Sequence, residues 1–279
     1  MNYNGLKAIV IALAALLVIN IAIIALLLRQ PAATPPAGAP GPSPSASSPS
    51  VSLTVIAAPC AECFNASLYQ PQLANVGVTF GTVTQLASGT AEAQKAIGTY
   101  GIQKLPALIF SKELGSYPEV AGSWESVGTI AEDGSYILEG LNPPYYDLAT
   151  KSVKGLVTLI YVNDSLCQLC YDVTLHRQVL DRFGMRFKEI RTVDVASPEG
   201  RALVATYNIT ATPTVVLSAD AGLYPGFDQV WSSVGIAAAD GSYVFTELSA
   251  IGRPYKNGTQ LVVPVQPQNG SLPQPSAAG

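Results

Sequence analysis

A shift of 107 residues lays this chain on itself. Cys60 then falls on Cys167 and Cys63 on Cys170. With no gap, Gly77 meets Gly184, Phe80 meets Phe187, Tyr100 meets Tyr207 and Pro106 meets Pro213. The match runs on through Tyr117–Pro118 on Tyr224–Pro225, Trp124 on Trp231 (the only two tryptophans) and DGSY at 133–136 on DGSY at 240–243. From Cys60 to Leu141, 25 of 82 positions are identical under this one shift. Chance does not sustain an ungapped match of that length, so the chain contains a duplicated structural unit.

Each copy presents the same pattern. An apolar, β-rich run (VSLTVIAA at 51–58, GLVTLIYV at 155–162) ends at a cysteine pair. Helical spacing follows, clearest at Val173, Val179, Leu180 and Phe183. A second strand pattern comes next (76–86, 185–195), then a short helix (91–102, 198–209), and then a proline opening another apolar strand, PALIF or PTVVL. A hairpin closes each copy, with Asp133–Gly134 and Asp240–Gly241 as turns. The order β-α-β-α-β-β predicts an α/β unit with parallel strands joined by crossover helices and an antiparallel edge.

The duplicated unit follows a hydrophobic segment. Residues 8–28, AIVIALAALLVINIAIIALLL, hold 21 residues without a charge, which as a helix span about 30 Å, the bilayer's hydrocarbon thickness. The run is longer than the apolar core of a cleaved signal peptide, so it is read as an uncleaved membrane anchor. Lys7 precedes it and Arg29 follows it closely, which puts residues 1–7 in the cytoplasm. Residues 29–50 are a Pro/Ser/Ala-rich linker, and 261–279 form a tail of the same character, expected to be disordered. Five of ten asparagines lie in Asn-x-Ser/Thr sequons, at Asn65, Asn163, Asn208, Asn257 and Asn269. All follow the apolar segment and are candidate glycosylation sites of an extracytoplasmic surface. Only 12% of residues are charged and the net charge is −4. No basic stripe exists to neutralise phosphates, so nucleic acid is excluded as a partner.

The cysteines carry the chemistry. Each C-x-x-C is expected where a strand hands over to a helix, whose N-terminal N–H groups and partial positive charge favour a thiolate. The second thiol, one helical turn on, is near enough to close a disulfide, so the pair suits attack on a partner disulfide and resolution of the mixed disulfide. Two other readings stand beside this one. Two C-x-x-C knuckles supply four zinc ligands if the copies face each other. Alternatively each pair is a structural clip in a non-catalytic surface module used for binding or assembly. No phosphate loop, Ser/His/Asp arrangement or paired-carboxylate motif is present.

The C-x-x-C after a strand, with a proline 46 residues beyond the first cysteine, occurs twice at identical spacing. In this each copy resembles the thioredoxin-like superfamily, over about residues 51–145 and 155–255. The whole is similar to tandem thioredoxin-fold protein disulfide oxidoreductases with an anchor added. The resemblance implies two thioredoxin-like domains, 51–150 and 151–260, each a central mixed sheet with flanking helices. It implies Cys60 and Cys167 as attacking thiols, Cys63 and Cys170 as resolving thiols, and disulfides Cys60–Cys63 and Cys167–Cys170. Pro106 and Pro213 become cis-prolines, with Leu105 and Thr212 offering backbone to an extended substrate segment. It further implies redox-active disulfides with no other cofactor and no metal. The expected partners are the thiols and disulfides of exported proteins and a separate redox partner, with the membrane reached through residues 8–28. The chain departs from typical thioredoxins in lacking a tryptophan before the first cysteine, Gly-Pro between the two, and an obvious C-terminal helix.

Three further expectations concern single residues. Glu62, inside the first pair, disfavours the Cys60 thiolate and makes that disulfide less oxidising than the second. His176, the only histidine, lies nine residues after Cys167, nearly opposite it on an ideal helix, and is expected in surface or interface packing. Trp124 and Trp231 are expected in the core or at the edge of each hairpin.

Overall fold

Two five-stranded sheets, one per copy, dominate the computed structural model, which describes residues 49–140 and 142–264. The first copy supplies β1 (Val51–Ala57), β2 (Phe80–Ala87), β3 (Lys104–Leu105), β4 (Ala107–Phe110), β5 (Thr129–Ile130), β6 (Tyr136–Glu139), β7 (Tyr145–Asp147) and β8 (Ser152–Lys154). The second supplies β9 (Leu156–Asn163), β10 (Arg186–Asp194), β11 (Ala211–Thr212), β12 (Thr214–Leu217), β13 (Gly235–Ala237), β14 (Tyr243–Phe245), β15 (Tyr255–Asn257) and β16 (Gln260–Val262). The helices are α1 (Tyr69–Asn75), α2 (Ala91–Tyr100) and α3 (Pro118–Ala121), then α4 (Leu175–Arg182), α5 (Pro198–Tyr207) and α6 (Phe227–Trp231).

The sheets have matching orders, β2-β1-β4-β6-β5 and β10-β9-β12-β14-β13. β1 and β2 are parallel, as are β9 and β10, but β4 and β12 enter antiparallel to β1 and β9. Each sheet is therefore mixed, with one parallel pair rather than several. The central strands β4 and β12 are buried throughout, as continuous apolar runs covered on both faces must be. Leu108 and Phe110 pack on Trp124, while Ala107 and Ile109 pack on the face of α2. Val215 and Leu217 pack with Trp231, and Val216 lies on the opposite face.

The identities between copies are mostly architectural. Trp124 and Trp231 are core residues, whose indole N–H groups donate to Thr129 and Ile236 carbonyls at 3.0 and 3.2 Å. A Cβ at Gly128 would sit 2.7 Å from Trp124 Nε1, and one at Gly235 2.5 Å from Trp231 Nε1. The Tyr117 hydroxyl accepts from Thr79 N–H and donates to the Pro49 carbonyl. Tyr224 repeats this between Arg186 N–H and Gly155 O, stitching the start of each parallel pair. Tyr100 and Tyr207 donate to Asp133 and Asp240, tying each second helix to its Asp-Gly turn. That helix ends in a left-handed residue in both copies, Gly101 and Asn208.

A β-ribbon follows the five-stranded sheet of each copy. β7–β8 and β15–β16 each form a hairpin, and its first strand pairs with the residues before the proline. The hairpin β7–β8 spans the boundary expected at 150/151 and pairs only with first-copy residues, so the second copy begins at β9. Likewise β16 extends into the stretch expected as tail. The anchor expected at 8–28, the expected linker up to residue 48, Asn269 and the expected tail from 265 lie outside the described residues. Among the described residues no helix is long and apolar enough to cross a membrane.

Candidate redox site

Both cysteine pairs are closed as disulfides, with Cα–Cα separations of 5.4 Å in each. The four cysteines are half-buried. Among the described residues no group of three or more metal-ligating side chains converges. The peptide bonds Leu105–Pro106 and Thr212–Pro213 are cis, as is Pro143–Pro144.

The expected helix N-terminus at the sulfurs is not formed. After Cys63 the chain is irregular until a short 3-10 turn, Ala66–Leu68, capped by the Asn65 side chain, and α1 starts only at Tyr69. After Cys170 the helix waits until Leu175. Two bonds hold it off. The residue after each pair gives its backbone N–H to a proline carbonyl of the ribbon, Phe64 to Pro144 at 2.8 Å and Tyr171 to Pro254 at 2.9 Å. In the second copy, Asp172 Oδ1 also accepts from Thr174 N–H and Oγ1, a local turn that competes with helix. Helix-dipole activation of Cys60 and Cys167 is therefore absent, since that effect fades beyond the first turn.

Around the second pair the loop is pinned by polar contacts. Asp164 is buried; its Oδ1 accepts from Leu166 N–H at 3.1 Å and its Oδ2 meets Lys256 Nζ at 2.8 Å. The Asp164 carbonyl accepts from Cys167 N–H, and Ser165 N–H donates to Asp194 Oδ2 at 2.8 Å. Those bonds, from Ser165 and from Ala196 N–H, hold the Asp194 carboxyl below the usual range. Leu166 and Leu169 project into solvent beside Cys167, 79% and 67% exposed.

Behind this disulfide the Tyr171 hydroxyl donates to the Pro213 carbonyl at 2.6 Å and lies 2.9 Å from His176 Nε2. One hydroxyl carries one proton, so with Pro213 as acceptor it is His176 Nε2–H that donates to Tyr171. His176 is buried rather than on the surface, packed edge-on against Phe245 with centroids 4.6 Å apart. Because the helix starts late, the geometry of an ideal helix from Cys167 does not apply, and the ring turns inward. Burial lowers its pKa to about 4 and raises that of Tyr171 above the ordinary tyrosine value.

In the first copy, Phe64 replaces Tyr171 and Tyr69 replaces His176. Their rings keep the edge-to-face packing, 5.6 Å apart, but Phe64 has no hydroxyl to offer Pro106. Ala57 stands where Asp164 is, and Tyr146, opposite Leu105, stands where Lys256 is opposite Thr212. The positions that form an ion pair in one copy therefore carry no charge in the other. Glu62 is exposed.

The backbone edge that the resemblance assigns to substrate is taken by the chain itself. Leu105 pairs with Tyr146 and Thr212 with Lys256. Leu105 is 0% exposed, whereas Thr212 keeps partial exposure. Glu139 Oε2 further accepts from Gln103 and Lys104 N–H at 2.6 and 2.9 Å. Pro106 and Pro213 are both buried. Of the sequons, Asn65, Asn208 and Asn257 are exposed and Asn163 is half-buried at the end of β9.

Sequence reasoning passed over Tyr171, Asp164 and Lys256. The ribbon had a signal, since PYYD at 144–147 and PYKN at 254–257 match at a shift of 110 rather than 107. Tyr171 had one too, an aromatic directly after the second cysteine in both copies.

No family model and no curated protein matches the chain. Among solved structures, a protein disulfide oxidoreductase from Aeropyrum pernix k1 is similar over 62% of this chain and 78% of its own, at 12% identity and a TM-score of 0.18. ERdj5 in its form II is similar over 61% of this chain and 22% of its own, at 16% identity and a TM-score of 0.17. By strand order, proline turns and paired cysteines, the described residues form a duplicated mixed α/β unit with one closed C-x-x-C disulfide in each copy.

Proposed function

We propose that this protein is a membrane-anchored thiol–disulfide oxidoreductase acting on exported proteins, and that Cys167–Cys170 does most of the exchange. The observation that carries the reading is a half-buried C-x-x-C disulfide in each copy, set in the second against the cis-proline turn through Cys170 Sγ and Thr212 O and rimmed there by exposed Leu166 and Leu169. The 21-residue uncharged run and the sequons after it support a site outside the cytoplasm.

Exchange needs no group beyond the sulfurs. A substrate thiolate attacks Cys167 Sγ, the Cys167–Cys170 bond breaks, and Cys170 leaves as a thiolate that takes up a proton. A second substrate thiolate then attacks the mixed disulfide and releases Cys167. The substrate is oxidised by two electrons and the protein pair is reduced; the reverse sequence reduces a substrate disulfide. A redox partner outside the chain restores the starting state.

The test is insulin reduction by dithiothreitol, and oxidative refolding of a reduced test protein in glutathione buffer, using the full chain in detergent. Wild type should accelerate both, Cys167→Ser should not, and Cys60→Ser should retain most of the activity. Activity that survives in the double Cys60→Ser, Cys167→Ser variant ends the proposal. A second reading, a structural disulfide, is favoured for the first copy by one observation: Leu105 is fully buried beneath the chain's own ribbon.

A further inference from the structure

We propose that Tyr171, braced by His176, is a positioning residue of the second disulfide that makes Cys167–Cys170 easier to reduce than it would otherwise be. The inference deepens the exchange reading by naming what sets the second pair's redox poise.

The geometry lies behind the disulfide. Cys170 Sγ is 3.9 Å from the Thr212 carbonyl oxygen. In the disulfide that sulfur has no proton to give, so the contact is idle. Reduction by a dithiol or by glutathione breaks the S–S bond, and the two electrons and two protons gained leave both cysteines as thiols. The Cys170 S–H then has an acceptor within reach, a weak S–H···O bond present only in the reduced protein. An interaction made only by the dithiol stabilises it and makes the disulfide more oxidising.

The acceptor is useful only if the Thr212–Pro213 turn holds still, and Tyr171 fixes it. Its backbone N–H is bound to Pro254 and its hydroxyl to the Pro213 carbonyl, the peptide next to the acceptor. His176 Nε2–H, donating at 2.9 Å, orients the hydroxyl so that its proton faces Pro213. Because Tyr171 directly follows Cys170, one side chain sets the distance between the sulfur and its acceptor. The first copy has Phe64 and Tyr69 at these positions and no such tie.

The experiment is a glutathione redox titration of the full chain, with differential alkylation and mass spectrometry reporting each pair separately. Tyr171→Phe should lower the equilibrium constant for reducing Cys167–Cys170 about threefold, or about 14 mV for a two-electron couple, and leave Cys60–Cys63 unchanged. His176→Phe should do the same, and His176→Gln, which keeps an N–H donor, should restore the wild-type value. If Tyr171→Phe does not fold, as judged by near-UV circular dichroism, the two His176 variants decide. An unchanged second pair in Tyr171→Phe and His176→Phe overturns the proposal, as does an equal shift in both pairs. The potential can be measured whether or not a protein substrate is turned over. Failure of the exchange assay is therefore distinct from failure of this role.

Discussion

The two copies share a sheet order, a tryptophan-centred core, a tyrosine stitch between parallel strands and a disulfide before a proline turn. They differ around the sulfurs. In the first copy the counterpart positions carry no ion pair: Ala57, which is exposed, partly buried Phe64, Tyr69 and Tyr146, and a fully buried Leu105. In the second they are polar and partly open: Asp164 with Lys256, Tyr171 with His176, and two exposed leucines on the rim. Duplication preserved what packs the sheet while the ring of residues around the disulfide diverged. Positions that fill a core are constrained by volume from all sides, whereas positions beside a surface loop tolerate changes in polarity once each polar group has a partner.

The contrast can be broken most directly by chemistry. Cys167→Ser should cut exchange with a protein substrate by at least about a hundredfold, because a lost nucleophile has no substitute. Cys60→Ser should cost less than about twofold if the sites act independently. Equal losses, read as initial rates in the refolding assay, would show two equivalent sites.

The ionic pair gives the next largest effect. Lys256→Met strands the buried Asp164 carboxylate, and breaking such a pair costs roughly 3 kcal/mol. In the first copy, Tyr146→Phe leaves no buried charge behind and should cost under about 0.5 kcal/mol. Guanidinium unfolding of each variant with disulfides intact checks both.

Acid should separate the copies as well. His176 is buried neutral, its pKa lowered by burial from 6.5 to about 4. Its contribution is fully present above about pH 6.5 and is lost as pH falls towards the folded value near 4, on the order of 3 kcal/mol over that interval. His176→Phe should flatten this part of the stability–pH curve, measured by denaturant unfolding at pH 7 and pH 4. Tyr69, its counterpart, does not titrate in that range.

The smallest expected effect tests the first pair alone. Glu62→Gln removes an exposed carboxylate that disfavours the Cys60 thiolate, so the Cys60–Cys63 potential should rise by about 10 mV, with the second pair unmoved. No change would mean that Glu62 is screened by water.

Much of the fold was legible in the sequence because periodicity and duplication report burial directly. The alternating run 51–57 and the all-buried ALIF and TVVL strands form where their patterns put them. The site was less legible. A C-x-x-C after a strand suggested a helix N-terminus, yet the bonds from Phe64 and Tyr171 to distant prolines delay the helix in both copies. His176 read as a surface or interface residue for the same reason, since its direction depended on where that helix began.

What the sequence by itself determined is the duplicated α/β unit, a C-x-x-C motif in each copy and the proline 46 residues after each first cysteine. These follow from local spacing and repetition. Only the tertiary structure decided what surrounds the sulfurs. Asp164 meets Lys256 across 92 residues, Tyr171 meets Pro213 across 42, and the ribbon strands close over Leu105 and Thr212. Such contacts join segments far apart along the chain, and no local pattern encodes which distant polar group will satisfy a buried one.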